Sequence, residues 1–118
     1  MHPGEIGASY ALKGLIEFLI SQHPEAVLLR KDFYFMIIPI LNPDGVFNGN
    51  NRMDSLGQNL NRFYHLPDLV MQPSCYAIKS LIENTRKELF AFFDFHGHAN
   101  KKSCFLFGNY IANQRLHA

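Results

Sequence analysis

The longest apolar run of the chain covers residues 33–41 and most constrains what the chain can fold into. It is strand-sized, and it is far shorter than the roughly 20 apolar residues that a membrane span needs. A continuous apolar run of this kind is typical of a strand buried on both faces. Pro39 cannot donate a hydrogen bond to a neighbouring strand, but it lies near the end of the run, where pairing can already finish.

Helical patterns and further apolar runs alternate along the rest of the chain. Helices are predicted at residues 9–20 with Ser9 as N-cap, at residues 24–30 and at residues 73–88, and strands at residues 89–95 and 103–107. A strand, a helix and a second buried strand in succession indicate an α/β fold. We therefore predict a mixed sheet, at least partly parallel, with flanking helices.

Size and charge exclude several classes of function. The chain has 118 residues, which is enough for one small domain, and its net charge is +1. A balanced charge predicts no nucleic-acid partner and no attraction to a membrane surface. The two cysteines, Cys75 and Cys104, weakly favour a reducing compartment, although buried free thiols are the commoner explanation. The sequence His2-Pro3-Gly4-Glu5 is neither basic nor apolar, so no signal peptide is visible.

Three residues form a candidate set of ligands for one zinc ion: His2, Glu5 and His96. His2 and Glu5 are three positions apart at a helix entrance and can converge on one point, while His96 follows a predicted buried strand. Two imidazoles and one carboxylate are a known catalytic zinc set, which leaves a fourth position open. Taken singly, a histidine or a glutamate is more often an exposed side chain than a metal ligand. An isolated buried histidine is likewise more often hydrogen-bonded than bound to a metal.

The residues around His96 strengthen its candidacy. Asp94 could orient a metal-bound imidazole or brace the adjacent loop. Gly97 permits unusual backbone geometry beside the histidine. His98 is predicted to lie around the site rather than to bind the metal, and it ranks below His96 as a ligand.

Two arginines follow the first predicted strand, in the polar segment of residues 42–64. The guanidinium group fits a carboxylate with two parallel hydrogen bonds and also stabilises a developing oxyanion. Arg52 is the candidate for the second task, and the Asn61–Arg62 pair is the candidate for binding a substrate's terminal carboxylate. The alternative for each arginine is a solvated surface side chain. The turn signal Asn42-Pro43-Asp44-Gly45 is predicted to shape the loop rather than to react.

Five motifs together resemble the cytosolic carboxypeptidases, which belong to the carboxypeptidase A-like zinc peptidases. The motifs, in order, are His2-Pro3-Gly4-Glu5, Asn42-Pro43-Asp44-Gly45, Asn48-Gly49-Asn50-Asn51-Arg52, Asn59-Leu60-Asn61-Arg62 and Asp94-Phe95-His96-Gly97-His98. The resemblance implies a partial carboxypeptidase-like mixed sheet and one Zn²⁺ ion held by His2, Glu5 and His96. It also implies that Arg52 polarises the scissile carbonyl and that Asn61 and Arg62 bind the terminal carboxylate.

The implied activity is hydrolysis of C-terminal amide bonds that removes glutamate from polyglutamylated protein tails such as tubulin. Residues 52–57 and 96–104 look most like the branch of the family that removes branch-point glutamates. The resemblance further implies a cytoplasmic, microtubule-associated protein.

The chain also departs from this family. The family's general-base glutamate and substrate-covering tyrosine lie well downstream of the third ligand, whereas residues 97–118 contain no Asp or Glu. We therefore expect residues 1–118 to be the N-terminal part of a catalytic domain truncated at both ends, and to be inactive in isolation.

Two other functions remain open at this point. One is a zinc hydrolase of the aspartoacylase or succinylglutamate-desuccinylase kind, which has similar ligands but a small acylated amino acid as substrate. The other is a non-catalytic module that binds acidic protein tails. An intact ligand set favours an enzyme over the second alternative.

Overall fold

The computed structural model describes residues 1–108, and in this part of the chain every regular element is helical. The elements are α1 (Ile6–Ile20), α2 (Pro24–Asp32), α3 (Pro43–Phe47), a 3₁₀ turn (Leu60–Arg62) and α4 (Pro73–Thr85). None of these helices combines the length and apolar character needed to cross a lipid bilayer. The three predicted helices are confirmed, with ends that differ by a few residues.

Proline and short polar side chains set where the helices begin. Pro24, Pro43 and Pro73 each stand in the first turn of a helix, where a missing N–H costs nothing. Asn42 caps α3, since its Oδ1 accepts a hydrogen bond from the Gly45 amide at 2.9 Å. The prediction that Ser9 caps the first helix is wrong. Glu5 occupies that position, because the helix already starts at Ile6.

The first two helices pack against each other and share a small core. Leu19 of α1 and Ala26 of α2 are buried there. Arg30 extends from α2 to the carboxyl end of α1, where its guanidinium donates to the carbonyls of Leu19 and Ser21. A cation placed on these free carbonyls stabilises the helix end both by hydrogen bonding and through the helix dipole.

Helix α4 packs against the polar segment of residues 42–64. Cys75 and Ile78 of α4 are buried, as is Leu60 at the start of the 3₁₀ turn. The Cys75 thiol donates to the Leu60 carbonyl at 3.3 Å. Gln72, just before α4, is buried and donates to the Gln58 side chain. These contacts fix the loop that carries residues 59–62 against a regular helix.

The predicted mixed sheet is not confirmed in the described part of the chain. Residues 33–41, 89–95 and 103–107 are not assigned as strands, and the backbone hydrogen bonds outside the helices join turns and loops. A strand is defined by its pairing, and an apolar run supplies a surface to bury but not the partner backbone. The side chains of these runs are correspondingly exposed, with Phe90 at 82%.

One aromatic contact still joins the first two apolar runs, which we call the extended segments (residues 33–41 and 89–95). The rings of Phe33 and Phe90 lie 5.0 Å apart between centroids. The structure thus has two regions. The four helices, the 3₁₀ turn and the polar loops before and between them form the first region, which we call the helical shell. The two exposed extended segments form the second region, and residues 89–95 lead directly into His96.

Candidate metal centre

The turn before α1 places His2 and Glu5 on one side of the chain. The Glu5 amide donates to the His2 carbonyl at 3.2 Å, and the Gly4 amide donates to the Asn51 carbonyl at 2.7 Å. A Cβ atom at Gly4 would lie 2.7 Å from that carbonyl oxygen, so glycine is required for this close approach. The turn is therefore locked against the loop that contains Arg52.

Glu5 is the point at which the candidate ligands meet. Its Oε1 lies 2.6 Å from Nδ1 of His2, and its Oε2 lies 2.9 Å from Nδ1 of His96. The Gly97 amide donates to Oε2 at 2.7 Å. The two imidazole rings are 5.0 Å apart between centroids. Side chains separated by 91 residues in sequence thus share one carboxylate.

In both histidines, the ring nitrogen that does not face Glu5 contacts a second polar side chain. Nε2 of His2 lies 2.9 Å from Oδ1 of Asn59, and Nε2 of His96 lies 3.0 Å from Oδ2 of Asp94. Each imidazole therefore presents Nδ1 to Glu5 and Nε2 to an outer oxygen, and a metal ion held between Nδ1 and Glu5 would leave Nε2–H to donate to that oxygen. His2 is buried, whereas a quarter of the His96 side chain is exposed.

The electrostatics of the site favour the charged form of Glu5. Burial by itself raises the pKa of Glu5, but the hydrogen bond from the Gly97 amide and the contacts with His96 and His2 outweigh it, so that the pKa is lowered. Arg52 adds a positive charge 3.8 Å from Oε1. The carboxylate is therefore ionised at neutral pH, as a metal ligand must be.

The residues present fit a zinc ion. His2, Glu5 and His96 offer two imidazole nitrogens and one carboxylate oxygen, all within 4.8 Å of one another. This donor set suits Zn²⁺, and three protein ligands are the number that leaves a coordination position open for catalysis. Burial decreases from His2 to Glu5 to His96, so the group opens towards solvent on the His96 side.

Arg52 lies beside these three residues, in a loop that is closed by side-chain hydrogen bonds. The Asn50 side chain donates to the carbonyls of Met53 and Asp54, both at 3.1 Å. The Asp54 carboxylate in turn accepts from the amides of Leu56 and Gln58. About half of the Arg52 side chain is exposed, which leaves its guanidinium group free to meet a substrate.

The other two predicted substrate residues are placed less directly. Asn61, in the 3₁₀ turn, lines a groove together with Tyr64, Phe92 and Asp94. Arg62 is exposed, and its Nη1 donates to the Asn61 carbonyl at 3.1 Å. The structure therefore brings Asn61 into the neighbourhood of Asp94 and leaves the Arg62 side chain pointing to solvent.

His98 lies in a separate cluster of aromatic and basic side chains. Its ring packs edge-on against Phe105 with centroids 5.4 Å apart, and its Nδ1 accepts from the amides of Asn100 and Lys101. The group of potential ligands within residues 1–108 contains His96 and not His98.

Two polar contacts were missed by sequence reasoning. Asn59 holds His2, although the motif was considered only for Asn61 and Arg62. Tyr64 reaches the same carboxylate oxygen of Asp94 as His96, at 3.5 Å. Burial raises the pKa of the Tyr64 hydroxyl well above its usual range, with Asp94 adding to the effect. No local spacing signals these contacts, which span 57 and 30 residues.

Comparison with known proteins identifies the family of the chain. Residues 1–110 match the model of the zinc carboxypeptidase family. The chain is 49% identical over 111 residues to cytosolic carboxypeptidase 4 of Mus musculus, with 92% of this chain and 10% of that protein covered. It is 44% identical over 113 residues to cytosolic carboxypeptidase 6 of Caenorhabditis elegans, with 92% and 25% covered.

The fold of the chain is also similar to that of a solved carboxypeptidase structure. The crystal structure of a metallo-carboxypeptidase from Burkholderia cenocepacia superposes with a TM-score of 0.66 at 35% identity, covering 70% of this chain and 23% of that one. The chain therefore belongs to the zinc carboxypeptidase family, and the predicted resemblance is confirmed. It spans about a tenth to a quarter of the length of these relatives.

Proposed function

We propose that this chain contributes the metal-binding part of a zinc metallocarboxypeptidase, with one Zn²⁺ ion held by His2, Glu5 and His96. The observation that carries the proposal is the convergence of two imidazole nitrogens and a carboxylate oxygen within 4.8 Å of one another. Family membership makes zinc the expected ion. The ion would supply Lewis-acid polarisation of the scissile carbonyl and would activate a water molecule.

The remaining residues of the site bind and orient the substrate. Arg52 places a guanidinium group beside Glu5, in reach of charge that develops on the carbonyl oxygen. Asn61 and Arg62 hold the terminal carboxylate of the substrate, which is what limits cleavage to the end of a chain. The proton-accepting glutamate is proposed to come from outside residues 1–118.

We propose glutamate on polyglutamylated protein tails, such as those of tubulin, as the group removed, and the cytoplasm, on microtubules, as the site of action. The support is the similarity to two proteins named cytosolic carboxypeptidases, at 49% and 44% identity. A substrate tail rich in glutamate would also be attracted to the guanidinium groups of Arg52 and Arg62.

We further propose that the extended segments are strands of a mixed sheet in the complete catalytic domain. Their exposed aromatic and aliphatic side chains and the contact between Phe33 and Phe90 support this, since so large an apolar surface is stable in water only when covered. Amide hydrogen exchange on the full-length protein tests it. Slow exchange throughout residues 34–38 and 90–94 is expected, and exchange at the rate of an open loop would contradict the proposal.

The activity is tested with full-length protein and a polyglutamylated peptide. Wild-type protein is expected to release glutamate and to contain one zinc per molecule, whereas His96→Ala loses both. Equal release by the two proteins would refute the role of zinc. An acylated amino acid in a parallel assay distinguishes a desuccinylase-like activity, and peptide binding without cleavage identifies a binding module.

A further inference from the structure

Asp94 is a charged side chain that touches a candidate metal ligand without belonging to the ligand set. Its Oδ2 lies 3.0 Å from Nε2 of His96. The same oxygen accepts the more distant Tyr64 hydroxyl at 3.5 Å. Two groups from separate parts of the chain therefore determine where this carboxylate lies.

The local geometry explains why Asp94 reaches His96. Side chains two residues apart in extended backbone lie on the same face, and the residue between them lies on the other. Asp94 and His96 stand two residues apart, and the 3.0 Å contact shows that their side chains lie on one side of the chain. The Asp94 contact needs only this local alternation, whereas the contact of His96 with Glu5 joins residues 91 positions apart.

His96 also has more freedom to lose than His2. The His2 side chain is 3% exposed, whereas that of His96 is 26% exposed. His96 follows an extended segment whose residues are exposed, although the Asp94 side chain is itself only 25% exposed. Packing therefore restrains the ring of His96 less than the ring of His2.

We infer that Asp94 is a positioning residue that holds His96 with Nδ1 facing the metal. This inference rests on the proposed zinc site. A carboxylate that accepts from Nε2–H fixes the tautomer and the orientation of the ring and makes the opposite nitrogen a stronger ligand. On the His2 side the neutral amide of Asn59 accepts in the same way. The essential property at Asp94 is therefore a hydrogen-bond acceptor.

The test compares Asp94→Ala with Asp94→Asn in the full-length protein. The zinc dissociation constant is measured by competition with a chromophoric chelator, and the visible spectrum of the Co²⁺-substituted protein reports the arrangement of the ligands. We expect Asp94→Ala to weaken zinc binding by about 10–100-fold and to shift the cobalt bands. Asp94→Asn, which keeps an acceptor oxygen, is expected to restore most of both. Asp32→Ala, which removes an exposed carboxylate at the end of α2, is the matched control and leaves both unchanged.

The possible outcomes separate this inference from the proposed function. If Asp94→Ala binds zinc as tightly as wild type with an unchanged cobalt spectrum, while His96→Ala loses the metal, the positioning role is overturned and the zinc site stands. Equal losses in Asp94→Ala and Asp94→Asn also overturn it, because an acceptor would then not be sufficient. If the wild-type protein itself binds no zinc, the proposed zinc site is refuted, and the positioning role of Asp94 is refuted with it.

Discussion

The helical shell and the extended segments differ in how their polar and apolar groups are satisfied. In the shell, Leu19, Leu60 and Cys75 are buried, and the connecting loops are closed by side-chain hydrogen bonds. The shell also exposes large apolar side chains, among them Phe47 at 90%, but the extended segments contain no buried residue, and Phe90 there is 82% exposed. The first region holds its shape through contacts within residues 1–108. The second presents backbone and apolar surface that a neighbouring strand would cover.

The candidate metal centre lies where these two regions meet. The shell supplies His2, Glu5 and Arg52, and His96 and Gly97 come directly after the second extended segment. Glu5 joins them, with hydrogen bonds to His96 and Gly97 of 2.9 and 2.7 Å. The three candidate ligands therefore do not lie on one helix or strand. The Glu5 carboxylate brings them together where the shell meets the second extended segment.

Removing that carboxylate is expected to have the largest effect. Glu5→Ala deletes one candidate ligand and the carboxylate that lies within hydrogen-bond distance of both His2 and His96. We expect zinc affinity to fall by more than about 100-fold, beyond the range of a change around the ligands. Peptidase activity of the full-length protein should be lost. Chelator competition measures the affinity, and Glu17→Ala, on the exposed face of α1, is the control.

Gly4→Ala tests whether the shell positions its ligands through close backbone contact. The new Cβ would lie 2.7 Å from the Asn51 carbonyl oxygen, so the turn must move away from the Arg52 loop. We expect a loss of about 1–3 kcal/mol in the free energy of unfolding, the usual cost of forced overpacking. Urea denaturation measures it.

The matched control for that substitution is Gly14→Ala, in the middle of α1. Nothing lies within 4 Å of a Cβ built there, and alanine favours a helix interior over glycine by up to about 1 kcal/mol. A stabilised Gly14→Ala beside a destabilised Gly4→Ala supports the argument. Equal stability of the two variants would contradict it.

The two cysteines distinguish the buried interior of the shell from an exposed part of the chain outside both regions. Cys75 of the shell is fully buried, and burial raises the pKa of its thiol, with Asp54 adding to the effect. Cys104 is exposed. Because the thiolate is the reactive form, we expect an alkylating reagent to modify Cys104 in the native 118-residue chain and Cys75 only after denaturation. Peptide mapping by mass spectrometry identifies the modified site, and faster labelling of Cys75 would show that the shell is open.

The smallest expected effect is a dependence of stability on acid pH. The folded pKa of Glu5 lies below its ordinary value of 4.5, because the Gly97 amide, His96 and His2 outweigh the opposing effect of burial. A lowered pKa stabilises the fold above the unfolded value, and the contribution is lost as the pH falls through the folded value. In metal-free protein we expect the free energy of unfolding to decrease more steeply below about pH 4.5 in wild type than in Glu5→Gln. Parallel slopes for the two proteins would show that Glu5 does not link the two regions.

Local chemistry was sufficient to predict α1, α2 and α4 and to select the residues of interest, whereas the start of the short helix α3 was predicted only as a turn. Proline in the first turn marked the starts of α2 and α4 at Pro24 and Pro73. The Ser9 cap was wrong because a plausible capping residue does not exclude an earlier start. Three strands were predicted from apolar runs, but an apolar run shows only that a segment can be buried. It does not show which backbone will pair with it.

The sequence by itself determined the donor groups of the candidate centre, the helices that carry part of it and the family of the chain. Only the tertiary structure decided that Nδ1 of each histidine faces Glu5 and that Asn59 contacts the opposite nitrogen of His2, whereas the preference for His96 over His98 and a role of Asp94 beside the metal were already predicted from the sequence. The physical reason is the range of the interactions involved. Helix starts depend on neighbouring residues, whereas the orientation of a ring depends on acceptors as far as 57 and 91 residues away, which come into contact only when the chain is folded.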